Sequence, residues 1–302
     1  ILMSTPQNIA FFGLGSMGFA MACTLLEAGH EVYGFDVVET SLERFVAKGG
    51  KRAATADIGA SLDLAVVVVL NASQSESVLF GEDGIVAKKR AGSCIIARAT
   101  MPPATARAFC LRCAETGVLY LDAPISGGSV KAASGQLSVM AAGSAAAFDA
   151  AQPALDAMAE TVFKMGDEAG PGSAMKSVNQ LLAGVHIAAM GEALTFGMQQ
   201  GITAQKIVDV ITASAGNSWM FENRAPHVVA GDYSPHSAID IWLKDLGIVL
   251  DVARLEKFSA PLAAAALQQF AAASGSGLGR EDDAAVTKVY ARNCGLELPG
   301  DT

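Results

Sequence analysis

The first group of residues with evident chemistry is Gly13-Leu14-Gly15-Ser16-Met17-Gly18, a G-x-G-x-x-G turn, followed about 20 residues on by the acid Asp36. Each position has a job if the ligand is a dinucleotide. Gly13 permits a tight turn, Gly15 leaves room for backbone to approach a pyrophosphate, and Gly18 lets a helix pack close to a strand. A helix starting at Met17 would turn its free N–H groups and positive dipole end toward the phosphates. Asp36 can accept hydrogen bonds from both adenosine ribose hydroxyls and would repel a 2′-phosphate. The following Val37, Val38 and Glu39 supply no arginine to bind one, so the pattern favours NAD over NADP.

Two further groups are suited to a small carboxylate and to proton transfer. In Asp122-Ala123-Pro124-Ile125-Ser126-Gly127-Gly128, the Ser126-Gly127-Gly128 end exposes backbone N–H groups and one hydroxyl, which suits an anion; a plain tight turn has the same composition. Lys176 and Asn179 lie three apart near the start of a helical segment and so face one direction. A helix N-terminus disfavours a charged ammonium, which suits a lysine to accept a proton. A surface lysine beside a helix-face asparagine is the plainer reading.

The elements that must position these groups follow from periodicity. Asn8–Phe12 reads as a strand, Met17–Ala28 as a helix and Glu31–Asp36 as a second strand. A helix over Ser41–Lys48 precedes the apolar run Leu64–Leu70, and short runs at Cys94–Ala97, Leu119–Asp122, Leu137–Met140 and Val162–Lys164 follow. Continuous apolar strands alternating with helices predict an α/β Rossmann-type doubly wound, mostly parallel sheet. After Gly166 the pattern becomes helical, with segments at Ser173–Gln200, Ala204–Ala213, Ile239–Leu255, Pro261–Ala273 and Asp282–Ala291. The expected division is residues 1–166 as a dinucleotide-binding domain and 167–302 as an all-α C-terminal domain opening on a long helix, with Gly166, Gly170, Pro171 and Gly172 as punctuation.

Composition narrows the class of partner. Of 302 residues, 51% are hydrophobic and 17% charged, which fits large cores, and the net charge of −9 argues against nucleic acid or an anionic membrane surface. The apolar run Leu64–Leu70 is far shorter than the ~20 residues of a spanning helix, and Leu181–Met198 is interrupted by His186, Glu192 and glycines. No basic, apolar leader opens the chain, and Met3 reads as the natural start after Ile1 and Leu2. The five cysteines are scattered; Cys110 and Cys113 form a C-x-x-C within a helical pattern and lack a second pair, so reduced structural thiols in the cytoplasm, with no metal, are expected.

Taken together, Gly13 to Gly18, Ser126-Gly127-Gly128, Lys176 with Asn179, and Trp242-Leu243-Lys244-Asp245-Leu246 resemble the β-hydroxyacid dehydrogenase family in order and spacing, over Ile9 to about Tyr290. The family includes 3-hydroxyisobutyrate dehydrogenase, tartronate semialdehyde reductase and sugar-acid dehydrogenases. The resemblance implies NAD-dependent oxidation of a small hydroxycarboxylic acid by a homodimer or homotetramer. It implies Lys176 as the catalytic general acid/base, Ser126, Gly127 and Gly128 on the substrate carboxylate, and Asn179 positioning the substrate. It also places Asn71 and Ala72 beside the cofactor ribose, Thr100 beside the nicotinamide, and Lys244 reaching cofactor or substrate. One segment departs from the pattern: where the family commonly has an acid, any residue, then Ser-Thr, this chain has Arg98-Ala99-Thr100, losing a hydroxyl at Ala99. Asn71-Ala72-Ser73-Gln74, with Leu79-Phe80-Gly81 after it, resembles the branch of four-carbon sugar-acid enzymes such as L-threonate dehydrogenase.

Competing readings are a semialdehyde reductase (tartronate or succinic), an imine reductase, and a non-catalytic dinucleotide-binding module. Imine reductases of similar architecture usually lack a lysine at the position of Lys176, and a module that had lost its chemistry would be expected to lose that lysine or the glycine turn. Elsewhere, His186 reads as a packed or interface histidine, Trp219 and Phe221 as core or pocket wall, and Asp240 and Asp245 as solvated or salt-bridged helix carboxylates.

Overall fold

The computed structural model describes residues 6–300; the expected start at Met3 lies outside them. The chain divides into two compact units, Ile1–Lys176 and Ser177–Thr302. The first runs β1 (Asn8–Phe12), α1 (Ser16–Glu27), β2 (Glu31–Phe35), α2 (Glu39–Val46), α3 (Thr55–Ile58), β3 (Leu64–Val67), α4 (Ala72–Phe80), β4 (Cys94–Ala97), α5 (Pro103–Ala114), β5 (Leu119–Asp122), β6 (Ile125–Ser126), α6 (Gly128–Ala133), β7 (Leu137–Ala142), α7 (Ala145–Met158) and β8 (Ala159–Gly166). The division of units falls within α8 (Pro171–Gln199).

The eight strands form one sheet in the order β2-β1-β3-β4-β5-β7-β6, with β8 pairing β7. β1 to β5 are mutually parallel along that path, while β7 runs antiparallel to β5 and β6. The chain leaves β1 toward β2, then returns past β1 to place β3 on its other side. Strand order therefore reverses between β1 and β3, and that switch point is where open α/β sheets bind ligands. Side chains alternate between the two covered faces, as a two-residue period requires. Ile9 and Phe11 join Val66, Ile96 and Leu121 in one core; Ala10 and Phe12 join Val67, Ile95 and Tyr120 in the other.

The strand expected over Leu64–Leu70 stops at Val67. Val68 N still donates to Phe12 O at 2.8 Å, but Leu70 N donates to the Gln74 side chain at 2.9 Å and Leu70 is exposed. The chain peels off the sheet there to start α4. The short β6–α6 unit was not foreseen, because a two-residue strand has no periodicity to detect.

In the second unit α8 is followed by α9 (Ala204–Ile211), α10 (Trp219–Ala230), α11 (Ile239–Leu255), α12 (Pro261–Ala273) and α13 (Thr287–Cys294). Among the described residues of this unit the only strand-like pairing is an isolated bridge, Ala238 to Asp282. α10 escaped sequence reading because Pro226 interrupts its pattern; Ser218 caps it, accepting from Phe221 N at 3.0 Å. Phe221 joins the helical core, whereas Trp219, the first residue of α10, is 57% exposed, which excludes the core half of the core-or-pocket-wall expectation for it. α8 is long and apolar enough (mean hydropathy 1.4) to match a membrane span by length and composition alone, but its Ile187, Met190 and Leu194 are packed in the helical core.

Candidate active site

The glycine turn sits at the switch point with little spare room. Gly13 has φ +94° and donates to Phe35 O at 2.8 Å, and a Cβ built on it would lie 2.0 Å from Val68 O. A Cβ on Gly18 would lie 1.9 Å from Gly13 O, whereas one on Gly15 meets nothing within 4 Å. The first and third glycines thus serve close packing and the second leaves open space, the division of labour a dinucleotide turn needs. α1 begins at Ser16 with no side-chain cap and no acid in its first turn. That leaves a helix terminus suited to phosphate.

Asp36 is tied into the same turn. Its Oδ2 accepts from Leu14 N at 2.5 Å and its Oδ1 from Val38 N at 2.8 Å. An ionised carboxylate has about four acceptor positions, so capacity for ribose hydroxyls remains. An arginine that sequence proximity did not disclose stands in the same region. Arg52 follows Lys51, which bridges Tyr33 of β2, and both its terminal nitrogens are taken by Glu39 at 2.6 and 3.0 Å. These residues fit a dinucleotide.

Asn71 caps α4, its Oδ1 accepting from Gln74 N at 2.8 Å, and Ala72 opens that helix. Thr100 follows β4 and is half-buried. Ala99, where the family's hydroxyl is lost, is packed with Met101 in an apolar cluster. A hydroxyl at position 99 would therefore need a buried partner, and alanine needs none. Arg98 is buried; one terminal nitrogen donates to Ala123 O at 3.2 Å, and burial pulls its guanidinium down to about 9.

Ser126 ends β6, pairing Ser138, and Gly127 and Gly128 follow with φ of +139° and +72°. Nothing lies within 4 Å of a Cβ on Gly128. Just upstream, Asp122 is a structural anchor, a role that no local sequence pattern marks. Its Oδ2 accepts from Gly170 N and Ser173 N, both at 2.9 Å, and its Oδ1 from Ser173 Oγ at 2.6 Å. Burial pushes this carboxyl up, and the hydrogen bonds from Ser173, Gly170 and Gly172 oppose that shift. The positive end of the helix dipole at the start of α8 also favours the ionised carboxylate there. The first turn of α8, and with it buried Lys176, is thereby pinned to the end of β5.

The other two expected site residues belong to the second unit. Asn179 Nδ2 donates to Gln180 Oε1 at 2.9 Å, and Gln180 Nε2 donates to Asp245 Oδ2 at 2.5 Å. Lys244 Nζ lies 2.8 Å from Asp245 Oδ1, forming an ion pair. Asp245 is 3% exposed, so it is an ion-paired carboxylate and not a solvated one. Gln180 was missed altogether; a glutamine beside an expected site residue carries no motif signal.

The C-x-x-C is uneventful. Cys110 and Cys113 lie on α5 as free thiols, and burial pushes Cys113 up to about 12.

A dinucleotide-type turn on a doubly wound sheet, followed by an all-helical unit, defines a two-unit nicotinamide-dependent oxidoreductase. The family model for the NAD binding domain of 6-phosphogluconate dehydrogenase matches residues 8–166, and that described as the NAD-binding region of NADP-dependent 3-hydroxyisobutyrate dehydrogenase matches 170–290. The chain belongs to the β-hydroxyacid dehydrogenase family of hydroxyacid oxidoreductases. It is 50% identical over 295 residues to the L-threonate dehydrogenase of Cupriavidus necator, covering 97% of this chain and 98% of that protein. It is 46% identical over 294 residues to the L-threonate dehydrogenase of Haemophilus influenzae, covering 97% of each. Among solved structures, a 3-hydroxyisobutyrate dehydrogenase from Salmonella typhimurium aligns with a TM-score of 0.88 at 44% identity, over 94% of this chain and 99% of that one.

Proposed function

We propose that this protein oxidises L-threonate, or a closely related four-carbon sugar acid, with NAD. The relatives at 50% and 46% identity are both L-threonate dehydrogenases and match nearly end to end. The observation that carries the chemistry is the anchoring of α8 by Asp122, which gives buried Lys176 a fixed base at the end of β5, just before Ser126-Gly127-Gly128 in the chain.

Ser126 and the backbone at Gly127 and Gly128 hold the substrate carboxylate. Lys176 accepts the hydroxyl proton as the carbinol carbon is oxidised, and returns it as an acid in the reverse direction. Asn179 positions the substrate, and Lys244 adds a positive charge toward cofactor or substrate. The dinucleotide, when bound, supplies the hydride acceptor. Gly13 to Gly18 receive the pyrophosphate, Asp36 the adenosine ribose, Asn71 and Ala72 border the ribose, and Thr100 borders the nicotinamide. Position and proton transfer are the protein's own contribution.

Preference for NAD follows from charge. A 2′-phosphate would meet Asp36 and Glu39, and the arginine of that region, Arg52, is already committed to Glu39. Exposed apolar side chains on the helical unit, Leu182, Phe196, Leu255, Phe258 and Leu262, support assembly as a homodimer or homotetramer. The free cysteines fit a reducing cytoplasm.

The test is a panel of L-threonate, D-glycerate, 3-hydroxyisobutyrate and 4-hydroxybutyrate, each assayed with NAD and with NADP. The expected result is highest kcat/KM for L-threonate with NAD. A clear preference for another acid, or for NADP, would overturn the corresponding half of the proposal.

A further inference from the structure

Asn179, Gln180, Asp245 and Lys244 form one continuous polar chain inside the helical unit, joined at 2.9, 2.5 and 2.8 Å. Its two middle members are almost wholly buried: Gln180 is 8% exposed and Asp245 3%. The direction of the chain is not arbitrary. An ionised carboxylate can only accept hydrogen bonds, so Gln180 must offer Asp245 its amide nitrogen. Its oxygen then points the other way, and Asn179 must meet that oxygen with its own amide nitrogen. Asn179 is left with its carbonyl oxygen turned away from the chain, free of any competing demand from Gln180.

We propose that Gln180 and Asp245 are positioning residues that fix the polarity of the Asn179 amide, so that Asn179 presents a hydrogen-bond acceptor to a substrate hydroxyl. This rests on the reading above that Asn179 serves the substrate site. The same buried carboxylate is balanced by Lys244, so one anchor sets the orientation of one expected site residue and faces the charge of another. Substrates with a hydroxyl donor at the contacted position are selected; analogues offering only an acceptor there would set two acceptors face to face. The relay is thus a specificity device acting through Asn179 and never touching substrate itself.

The discriminating change is Asp245→Asn. It keeps shape and can still hydrogen-bond Gln180, but an amide at 245 can donate or accept, so the polarity of the chain is no longer dictated. Gln180→Met is the second variant, cutting the chain while keeping length and burial. Each is combined with Asn179→Ala in a double-mutant cycle on kcat/KM for L-threonate, or for whichever acid the wild type turns over best, with melting temperature followed alongside. Asn179→Ala alone should lower kcat/KM by roughly tenfold or more, mostly through KM. Once Asp245→Asn or Gln180→Met is present, adding Asn179→Ala should cost less than about threefold more, because the contact is already lost.

Losses that multiply independently in both cycles would overturn the relay while leaving Asn179 in the site. A harmless Asn179→Ala would overturn both the placement of Asn179 and the relay built on it. Variants that lower melting temperature but keep wild-type KM for the acid would also overturn the proposal, since they would reduce Gln180 and Asp245 to structural residues.

Discussion

At the scale of single residues, the informative side chains are the buried charged ones. Lys176 is 9% exposed on a helix whose start is held by Asp122. Its replacement by alanine should lower kcat by roughly 10² to 10⁴, the range for losing a general acid/base, with the Kd for NAD changed far less. Steady-state kinetics paired with calorimetric NAD titration check this, and wild-type turnover would remove Lys176 from the mechanism. Lys89 gives a pH prediction unrelated to catalysis. Burial pulls its ammonium down to about 8, with only a 3.4 Å contact to Leu62 O. A depressed lysine contributes stability that is present above the unfolded value and lost as pH falls through the folded one. Lys89→Met, which cannot charge, should therefore be more stable than wild type near pH 7 by about 1–3 kcal/mol. The gap should close between about pH 8 and the ordinary lysine value near 10.4. Thermal melts of both proteins across that range would show a pH-independent difference if the reading is wrong.

Elements behave differently because their strength lies in how they meet. The β1–α1–β2 unit was legible almost residue by residue: β1 and the start of β2 fall where expected and α1 is shifted by a single residue. Its glycines also foretold its geometry. Gly13 combines φ +94° with a Cβ position 2.0 Å from Val68 O. Gly13→Ala should cost at least about 2 kcal/mol, since an unfavourable backbone region and a backbone clash act together. A melting temperature lowered together with weaker NAD binding would support this; a neutral substitution would mean that the turn relaxes freely. By contrast α10 and the β6–α6 unit were not legible. α10 carries an internal proline tolerated by its packing, and β6 owes its existence to pairing with β7.

For the whole molecule, the relevant quantity is how much a ligand stabilises the folded state. A dinucleotide at 100 times its Kd adds about 2.7 kcal/mol to the unit that binds it. NAD should raise the melting temperature clearly and NADP at equal concentration much less, given Asp36 and the Glu39–Arg52 pair. Equal shifts would show that Arg52 leaves Glu39 readily for a 2′-phosphate, which exposed ion pairs can do at little cost. Adding the hydroxy acid alone tests a separate point, whether Ser126-Gly127-Gly128 binds a carboxylate before the dinucleotide arrives.

What the sequence determined by itself is whatever depends on neighbours along the chain. The glycine turn, Asp36 at the end of β2, the alternation of apolar strands with helices, and the change to an all-helical second unit are all local stereochemistry and periodicity, and each can be read within a few tens of residues. Tertiary structure alone decided the rest. Asp122 meets Ser173 across 51 residues, and Gln180 meets Asp245 across 65. Burial converts these unremarkable polar residues into anchors, because a carboxylate removed from water must find donors wherever the fold supplies them. No local pattern marks such a pair, since the requirement arises only once folding has taken the water away.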